Sequence, residues 1–457
     1  MTTKTFYQEL QRGLGSAFTE LKKNPDNIEY RDALLRCCLR YNSYDLQIEG
    51  SRGFYLYNAI LETENPDYFL QPVLDKFLSN CSNGIFFHII EIVYCYAYDG
   101  NQLAKDAFYK KYDYFANKKF RLTKNINTDE GRQWDEVAYN LTLFDGFDAF
   151  KRYAIETGEI RIKYPNNRKT YDGWYIFKTE YDFGEKRIER YLTNNCEKSP
   201  AIKALFDTIK SDKLVRELNE KRNQNTMTIQ ELIETATVAS THKKNPRYKM
   251  RKLRKGRKFS AFRASEQELT DLAHAALNEE NLTIKALLLN EFSRDRFPLD
   301  ITPLMEYAKS DNKLLAETSI DRLKKLKDEK IRNLAIELLT EKGVNSFALG
   351  LLEKNYKKSD DAVILSEIKK IRNISHDVQQ DIVNIYTCHR SKNAFPILFR
   401  VYKKGKCAFC REGIIEAMEH CGVLTNEIID ECLYDSYDDI QKKAKKLKKK
   451  FEKKSQK

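Results

Sequence analysis

Apolar residues recur every three to four positions along most of the chain, the spacing that predicts amphipathic α-helices. The pattern is clearest from about residue 265 to the end, where short apolar units are separated by polar turns. In one unit Pro303 precedes Leu304, Met305 and Ala308, as expected for proline in the first turn of a helix. Helices this short are not stable alone in water. Each must bury its apolar side against neighbouring helices, which favours an α-solenoid of helix pairs.

The first 200 residues have the same spacing, with more Tyr and Phe and a weaker repeat, and they predict a second helical lobe. Pro165, Asn166, Asn167 and Gly173 predict a turn or short hairpin within 161–173. The expected helices of this lobe include Thr3–Lys23, Glu29–Tyr41, Tyr55–Glu64, Tyr68–Asn80, Leu103–Ala116 and the strongly apolar Gly84–Tyr98. A capping box at Thr228 and Glu231 predicts one further helix start.

Internal repetition is detectable at one place. Residues 332–344 align without gaps onto residues 411–423, with identical Arg, Ile, Glu, Gly and Val positions. Apolar positions also correspond, and both segments end in a glycine suited to a helix C-terminus. The offset of 79 residues equals two units of the roughly 40-residue period of paired-helix repeats.

This repeat resembles those of HEAT-like proteins over about residues 265–450, with armadillo-like stacking as the nearest alternative. The whole chain, with Cys38-Leu-Arg-Tyr-Asn-Ser-Tyr-Asp-Leu-Gln-Ile-Glu-Gly-Ser-Arg52 early and Cys407-Ala-Phe-Cys-Arg411 late, is similar to uncharacterised bacterial HEAT-repeat proteins. The resemblance implies a curved superhelix that presents one helix face to a partner. It implies architecture and no established activity.

Composition and charge narrow the function classes. Glycine (17) and proline (9) are scarce among the 457 residues, which argues against collagen-like and disordered chains. The net charge of +13 comes from two segments, since residues 243–263 contribute +11 and residues 442–457 contribute +9, leaving −7 for the rest. A generally basic surface is therefore excluded.

The first basic segment, residues 243–263, has no acidic residue and is the strongest electrostatic feature of the sequence. Concentrated positive charge attracts phosphate polyanions, and Tyr248, Phe259 and Phe262 could stack on unpaired bases. The alternative is a solvated linker without a ligand. The candidate nucleic-acid-binding residues are Lys243, Lys244, Arg247, Lys249, Arg251, Lys252, Arg254, Lys255, Arg257, Lys258 and Arg263.

The second basic segment keeps helical apolar spacing at Ile440, Ala444, Leu447 and Phe451, which predicts a last helix with a lysine-rich, solubilising outer face. The predicted organisation is all-α, with two lobes joined by a basic linker. Its parts are an N-terminal repeat-like lobe at 1–200, connecting helices and the linker at 201–264, HEAT-like repeats at 265–441 and a lysine-rich tail at 442–457.

A dense polar cluster lies between two apolar helices and is a second candidate site, for a ligand or partner. Arg52 could bind a phosphate there. The same residues could instead cap helices and pair Glu49 with Arg52, and this structural interpretation is favoured. The cluster comprises Tyr44, Asp45, Gln47, Glu49, Ser51 and Arg52.

Ten cysteines without an export signal are expected to be reduced, mostly buried thiols. Cys388, Cys407, Cys410 and Cys421, with nearby His389 and His420, are candidate zinc ligands. Only Cys407 and Cys410 have the close spacing that structural zinc sites usually show twice. We therefore expect no metal and no cofactor. A redox role for Cys407 and Cys410 is even less favoured than zinc binding.

Two function hypotheses remain open. The first is a non-catalytic scaffold that binds a macromolecular partner, either an acidic protein or a nucleic acid. The second is a nucleic-acid-processing enzyme similar to helical-repeat DNA glycosylases, with Trp134, Trp174, Asp135 and Asp148 near its reacting centre. The common phosphate-loop, zincin, hydrolase-elbow and dinucleotide motifs are missing from the sequence, which favours the scaffold. No apolar segment is long enough for a bilayer span, so a cytoplasmic location is expected.

Overall fold

The computed structural model describes residues 1–44, 49–117, 128–163, 182–222, 227–242, 244–254, 259, 264–292, 297–344 and 347–455. Within these ranges the chain is all-helical, as predicted, and its β-type pairing there is an isolated parallel bridge between Ile374 and Gly405. The chain divides into two compact units. The first contains residues 1–215 and 426–457, and the second contains residues 216–425.

Up to residue 222, the described ranges contain eleven α-helices. They are α1 (Thr3–Arg12), α2 (Gly15–Lys23), α3 (Ile28–Cys38), α4 (Gly53–Leu61), α5 (Leu70–Leu78), α6 (Asn83–Tyr98), α7 (Gln102–Asn117), α8 (Thr128–Asp145), α9 (Phe147–Lys163), α10 (Glu185–Asn195) and α11 (Pro200–Arg222). Their core contains many aromatic as well as aliphatic residues, with Phe77 packed against both Phe86 and Phe108. Helix α6 is the buried apolar helix that was predicted.

Between residues 227 and 425, the part of the chain that the structure describes forms eleven further α-helices. They are α12 (Ile229–Ser240), α13 (Pro246–Leu253), α14 (Glu266–Asn278), α15 (Leu282–Leu289), α16 (Thr302–Ala308), α17 (Lys313–Leu323), α18 (Glu329–Lys342), α19 (Asp361–Lys370), α20 (His376–Cys388), α21 (Phe395–Lys404) and α22 (Ala408–Cys421). Packing is between near neighbours in sequence: α15 contacts α14 and α17, and α22 contacts α20 and α21.

Local sequence signals explain several helix ends. Thr228 forms the predicted capping box with Glu231, and Ser265 forms another with Glu268. Pro303 lies in the first turn of α16, as predicted. Gly422 ends α22 with φ of 69° and ψ of 30°, in the left-handed region that glycine adopts without steric cost.

The aligned segments 332–344 and 411–423 fall on α18 and α22, in the same buried register. Three pairs of corresponding apolar positions are buried in both helices, namely Ala335, Leu338 and Leu339 in α18 and Ile414, Ala417 and Met418 in α22. The two terminal glycines differ in detail. Gly343 also has a positive φ of 72°, but its ψ of −174° places it outside the left-handed helical region.

The C-terminal residues return to the first unit and form α23 (Asn426–Cys432) and α24 (Asp438–Ser455). Helix α23 packs against α2, and the amide of Ser436 donates a 2.9 Å hydrogen bond to the carbonyl oxygen of Gly13. The ring of Tyr434 stacks on Phe18 with centroids 5.6 Å apart. The N- and C-terminal ends of the chain therefore share one core.

Three sequence expectations differ from the observed organisation. The helix predicted over Thr3–Lys23 is two helices, because Gly13 is left-handed and lies against the side chains of Arg52 and Ser436. Within the predicted linker, residues 246–253 form helix α13 inside the second unit. The predicted tail is not separate, because α24 buries Ile440, Ala444 and Leu447 in the first unit.

Other boundaries follow from the same observations. The second unit ends at residue 425, so the predicted 265–441 segment extends beyond it. The predicted hairpin at 161–173 begins inside helix α9, which runs to Lys163, and its remainder lies outside the described residues. Within the described ranges, every helix is too short or too polar to span a bilayer.

Candidate functional site

Helix α13 carries most of the described basic residues of the first basic segment, and its local sequence explains why it is a helix. Asn245 caps it by accepting a 2.9 Å hydrogen bond from the amide of Tyr248, and Pro246 occupies the first turn. Met250 is only 3% exposed and anchors the helix in the second unit. Contacts with α12 and α15 complete the packing. The basic side chains of α13 are thus carried by a fixed element.

Two arginines of this region are already paired with side chains of other helices or loops in the second unit. Arg247 donates to the hydroxyl of Thr318 at 2.7 Å and lies 3.6 Å from a carboxylate oxygen of Glu317. Arg254 donates to the carboxylate of Glu291. Burial raises the pKa of Glu291 above its usual range, although Arg254 acts in the opposite direction. Because their charges are already paired, these two arginines mainly orient α13.

The other described cations of the segment face outward to different degrees. Lys244, Arg251 and Lys252 are exposed, and Lys249 is half-buried. Tyr248 is 49% exposed, and the guanidinium carbon of Arg251 lies 5.6 Å from its ring centroid. An exposed aromatic ring beside an arginine is the combination that stacks on unpaired bases.

A groove of about 580 Å³ runs beside α13. Its lining includes Arg247, Tyr248, Arg251 and Arg254 from the basic segment. Asn290, the residue that follows α15, also lines it. The groove therefore combines guanidinium and amide donors with one aromatic face, and it also contains the carboxylate of Glu291, which is paired with Arg254. This chemistry suits a phosphate-bearing chain with exposed bases.

An adjoining cleft of about 370 Å³ has the opposite character. Arg247 lines both spaces, but the second is dominated by carboxylates, namely Glu317, Asp321, Glu353, Asp377 and Asp381. Burial raises the pKa of Asp381, opposed by Lys324, whose Nζ atom is 3.2 Å away. The acidic cleft disfavours phosphate, so a polyanion would be restricted to the α13 side.

Several predicted basic residues cannot be placed. Lys243, Lys255, Arg257, Lys258 and Arg263 lie outside the described residues, as does Phe262. Phe259 is described and half-buried. The candidate interface is therefore limited, within the described residues, to Lys244, Arg247, Tyr248, Lys249, Arg251, Lys252 and Arg254.

The early polar cluster is built from contacts within the first unit. Glu49 and Arg52 form a buried ion pair at 3.0 Å, with side chains 1% and 2% exposed. Arg52 also donates to Ser436 at 3.4 Å, and the amide of Tyr44 donates to Glu49. These contacts fit the structural interpretation that the sequence favoured. Asp45 and Gln47 lie outside the described residues.

The cysteine candidates separate into two groups. Cys407 and Cys410 lie next to His376, and their ligand atoms are all within 4.8 Å of one another. Cys421 is elsewhere, with its Sγ atom 3.6 Å from the carbonyl oxygen of Tyr386, and Cys388 is exposed at the end of α20. His376 was missed by sequence reasoning because it lies 31 residues before Cys407. All ten cysteines are free thiols.

Residues of the glycosylase-like hypothesis have structural contacts in the first unit. Trp134 is buried beside the ring of Tyr153, and Asp135 accepts a hydrogen bond from the hydroxyl of the same tyrosine. Asp148 is in the first turn of α9 and pairs with Lys151. Trp174 lies outside the described residues.

Comparison with known proteins found no matching family model, no similar curated protein and no similar solved structure.

Proposed function

We propose that this chain is a non-catalytic helical-repeat scaffold that binds single-stranded nucleic acid along helix α13. The observation that carries the proposal is the exposed pair of Tyr248 and Arg251 on a helix fixed by Met250 and lined by further cations. Phosphate contacts would supply most of the affinity. The Tyr248 ring would stack on an unpaired base, which a duplex does not offer.

The scaffold part of the proposal is a HEAT-like solenoid in the second unit. Its support is the near-neighbour packing of short helices, together with the shared buried register of α18 and α22. Repeat proteins stack so that each unit contacts its neighbours, which is the contact pattern of α14 to α17 and α19 to α22. In this proposal the basic residues provide attraction, and neighbouring helix surfaces provide selectivity.

Anisotropy of a labelled oligothymidylate tests the binding site at low salt. The variant combines Lys244→Gln, Lys249→Gln, Arg251→Gln and Lys252→Gln, which leaves Met250 and the two ion-paired arginines intact. We expect binding to weaken by about 10- to 100-fold, because phosphate contacts dominate affinity at low salt.

The matched control removes four exposed lysines from α24, by Lys442→Gln, Lys445→Gln, Lys446→Gln and Lys449→Gln. This control has the same net charge as the α13 variant, and we expect its affinity to stay within about twofold of the wild type, because its phosphate contacts are unchanged. Equal losses in both variants would show that net charge, rather than the cations on and beside α13, governs binding. Absence of oligonucleotide binding by the wild-type chain, with an acidic protein bound instead, would contradict the proposal.

The stacking contact has its own test in Tyr248→Ala. Loss of one stacked base should cost about 1 to 3 kcal/mol for a single strand and little for a duplex. Tyr98→Ala is the control, because Tyr98 is 70% exposed and lies on the first unit. Equal effects of the Tyr248 change on single and double strands would argue against base stacking.

A further inference from the structure

A cluster of one imidazole and two thiols in the second unit is independent of the α13 groove. We propose that His376, Cys407 and Cys410 bind one zinc ion, through Nδ1 of the histidine and the two cysteine Sγ atoms. Each thiol gives its proton to solvent as the ion binds. The proposal does not depend on nucleic-acid binding.

The geometry fits the ion. The three ligand atoms are all within 4.8 Å of one another, and Cys410 Sγ lies 3.0 Å from His376 Nδ1. Zinc bonds of about 2.3 Å to sulfur and about 2.0 Å to nitrogen place tetrahedral ligand atoms roughly 3.5 to 3.8 Å apart. Small side-chain rotations are therefore enough to surround an ion without moving the helices.

The two cysteines are placed where a thiolate is favoured. Cys407 is the N-cap of α22 and Cys410 is three residues later, so both lie at the positive end of the helix dipole. The amide of Cys410 is 3.5 Å from Cys407 Sγ, within the distance of an N–H···S hydrogen bond. The side chains are nearly fully buried, at 1% and 2% exposure. A buried pair of thiols with this support is suited to hold a soft cation.

Outer contacts fix the loop that carries Cys407. The Gln379 side chain makes two hydrogen bonds to the backbone of Cys407. It accepts from the amide at 3.2 Å and donates to the carbonyl oxygen at 3.4 Å. A Cβ atom on Gly405 would be 2.3 Å from Gln379 Nε2, so glycine is needed for this close approach. The bridge between Ile374 and Gly405 joins the segments that precede the two ligand-bearing helices.

The surroundings also provide access for a cation. His376 lines the acidic cleft, together with Asp377, Glu353 and Asp381. Carboxylates attract divalent ions and would guide zinc towards the histidine. Three protein ligands leave a fourth coordination position for water or another ligand, as in zinc sites of the open type.

Zinc content of the full-length chain tests the proposal. The protein is purified under reducing conditions, incubated with zinc chloride and freed of excess metal. Its zinc content is then measured by elemental mass spectrometry. We expect one zinc ion per chain. Cobalt loading gives a second readout, because two thiolate ligands produce charge-transfer absorption in the near ultraviolet.

The ligand variants are Cys407→Ser, Cys410→Ser and His376→Gln. Each should weaken zinc binding by more than the roughly 10- to 100-fold typical of outer-shell changes, and Gln379→Ala should fall within that range. Cys421→Ser is the matched control, because Cys421 is a buried cysteine at the other end of the same helix. Its zinc content should equal that of the wild type.

Three results would overturn the proposal. One is a reduced wild-type chain that takes up neither zinc nor cobalt. Another is full zinc content in a Cys407→Ser and Cys410→Ser double variant. The third is cobalt-loaded wild type without thiolate charge-transfer absorption. This test uses only the wild-type chain, so it does not depend on whether a ligand variant folds.

Discussion

Three charged or titratable side chains buried in the first unit have partners in the same chain. Lys111 donates to the carbonyl oxygens of Leu78 and Ser79, at the C-terminal end of α5, where a cation is favoured by the helix dipole. Arg52 pairs with Glu49, and His88 lies 3.2 Å from the carbonyl oxygen of Cys37. Burial of such groups is tolerated because each one is paired. Their role is to position helices.

His88 should make the stability of the first unit depend on pH. It is fully buried, and burial lowers its pKa to about 4 from a usual value near 6.5. The unfolded chain binds a proton below about pH 6.5 while the folded chain does not, so the free energy of unfolding should fall as pH decreases towards 4. The loss from this residue should reach up to about 3 kcal/mol.

Urea unfolding of the wild type and His88→Gln between pH 7 and pH 4 measures this contribution. The stability difference between the two proteins should shrink as the pH falls, because titrating carboxylates affect both alike. Parallel pH profiles would show that His88 is not the titrating group.

At the scale of elements, local signals predicted helices well and their tertiary placement poorly. The capping box at Thr228, the proline turn at Pro303 and the shared register of α18 and α22 follow from residues close in sequence. Helix α13 was missed because its charge density suggested a linker, whereas Asn245 and Met250 supply a cap and an anchor. A single buried methionine is a weak sequence signal.

Met250→Ala should loosen α13 without changing its charge. Truncating a buried methionine typically costs about 2 to 5 kcal/mol, and the lost contacts here are those that hold α13 in the second unit. We expect faster hydrogen exchange over residues 246–253 and weaker oligonucleotide binding. Met250→Leu is the control that keeps the volume, and it should bind like the wild type.

At the scale of the whole molecule, the feature that sequence reasoning could not reach is pairing between distant segments. Residues 426–457 join the first unit, and His376 meets Cys407 and Cys410 through the packing of α20 on α22. Apolar periodicity identifies each helix but not its neighbour in space. The CxxC spacing signalled two of the three residues of the proposed zinc site, and the histidine had no local signal of its own.

Gly15→Ala should disrupt the return of the C-terminal helices. A Cβ atom at this position would lie 1.7 Å from the carbonyl oxygen of Glu431, so α2 and α23 could not keep their contact. We expect lower stability of the first unit and faster hydrogen exchange over residues 426–455. Gly131→Ala is the matched control, because a Cβ atom there meets nothing within 4 Å and alanine favours helix by about 0.5 to 1 kcal/mol. Unchanged exchange in Gly15→Ala would contradict the shared core.

The salt dependence of oligonucleotide affinity tests the central claim, that α13 is a phosphate-binding element, most directly. The wild type should show log K falling linearly with log salt, with a slope of about −0.7 for each phosphate contact to a single strand. The variant lacking the charges of Lys244, Lys249, Arg251 and Lys252 should show a clearly flatter slope, because those contacts are gone. Identical slopes for the two proteins would contradict the assignment of α13 as the nucleic-acid-binding surface.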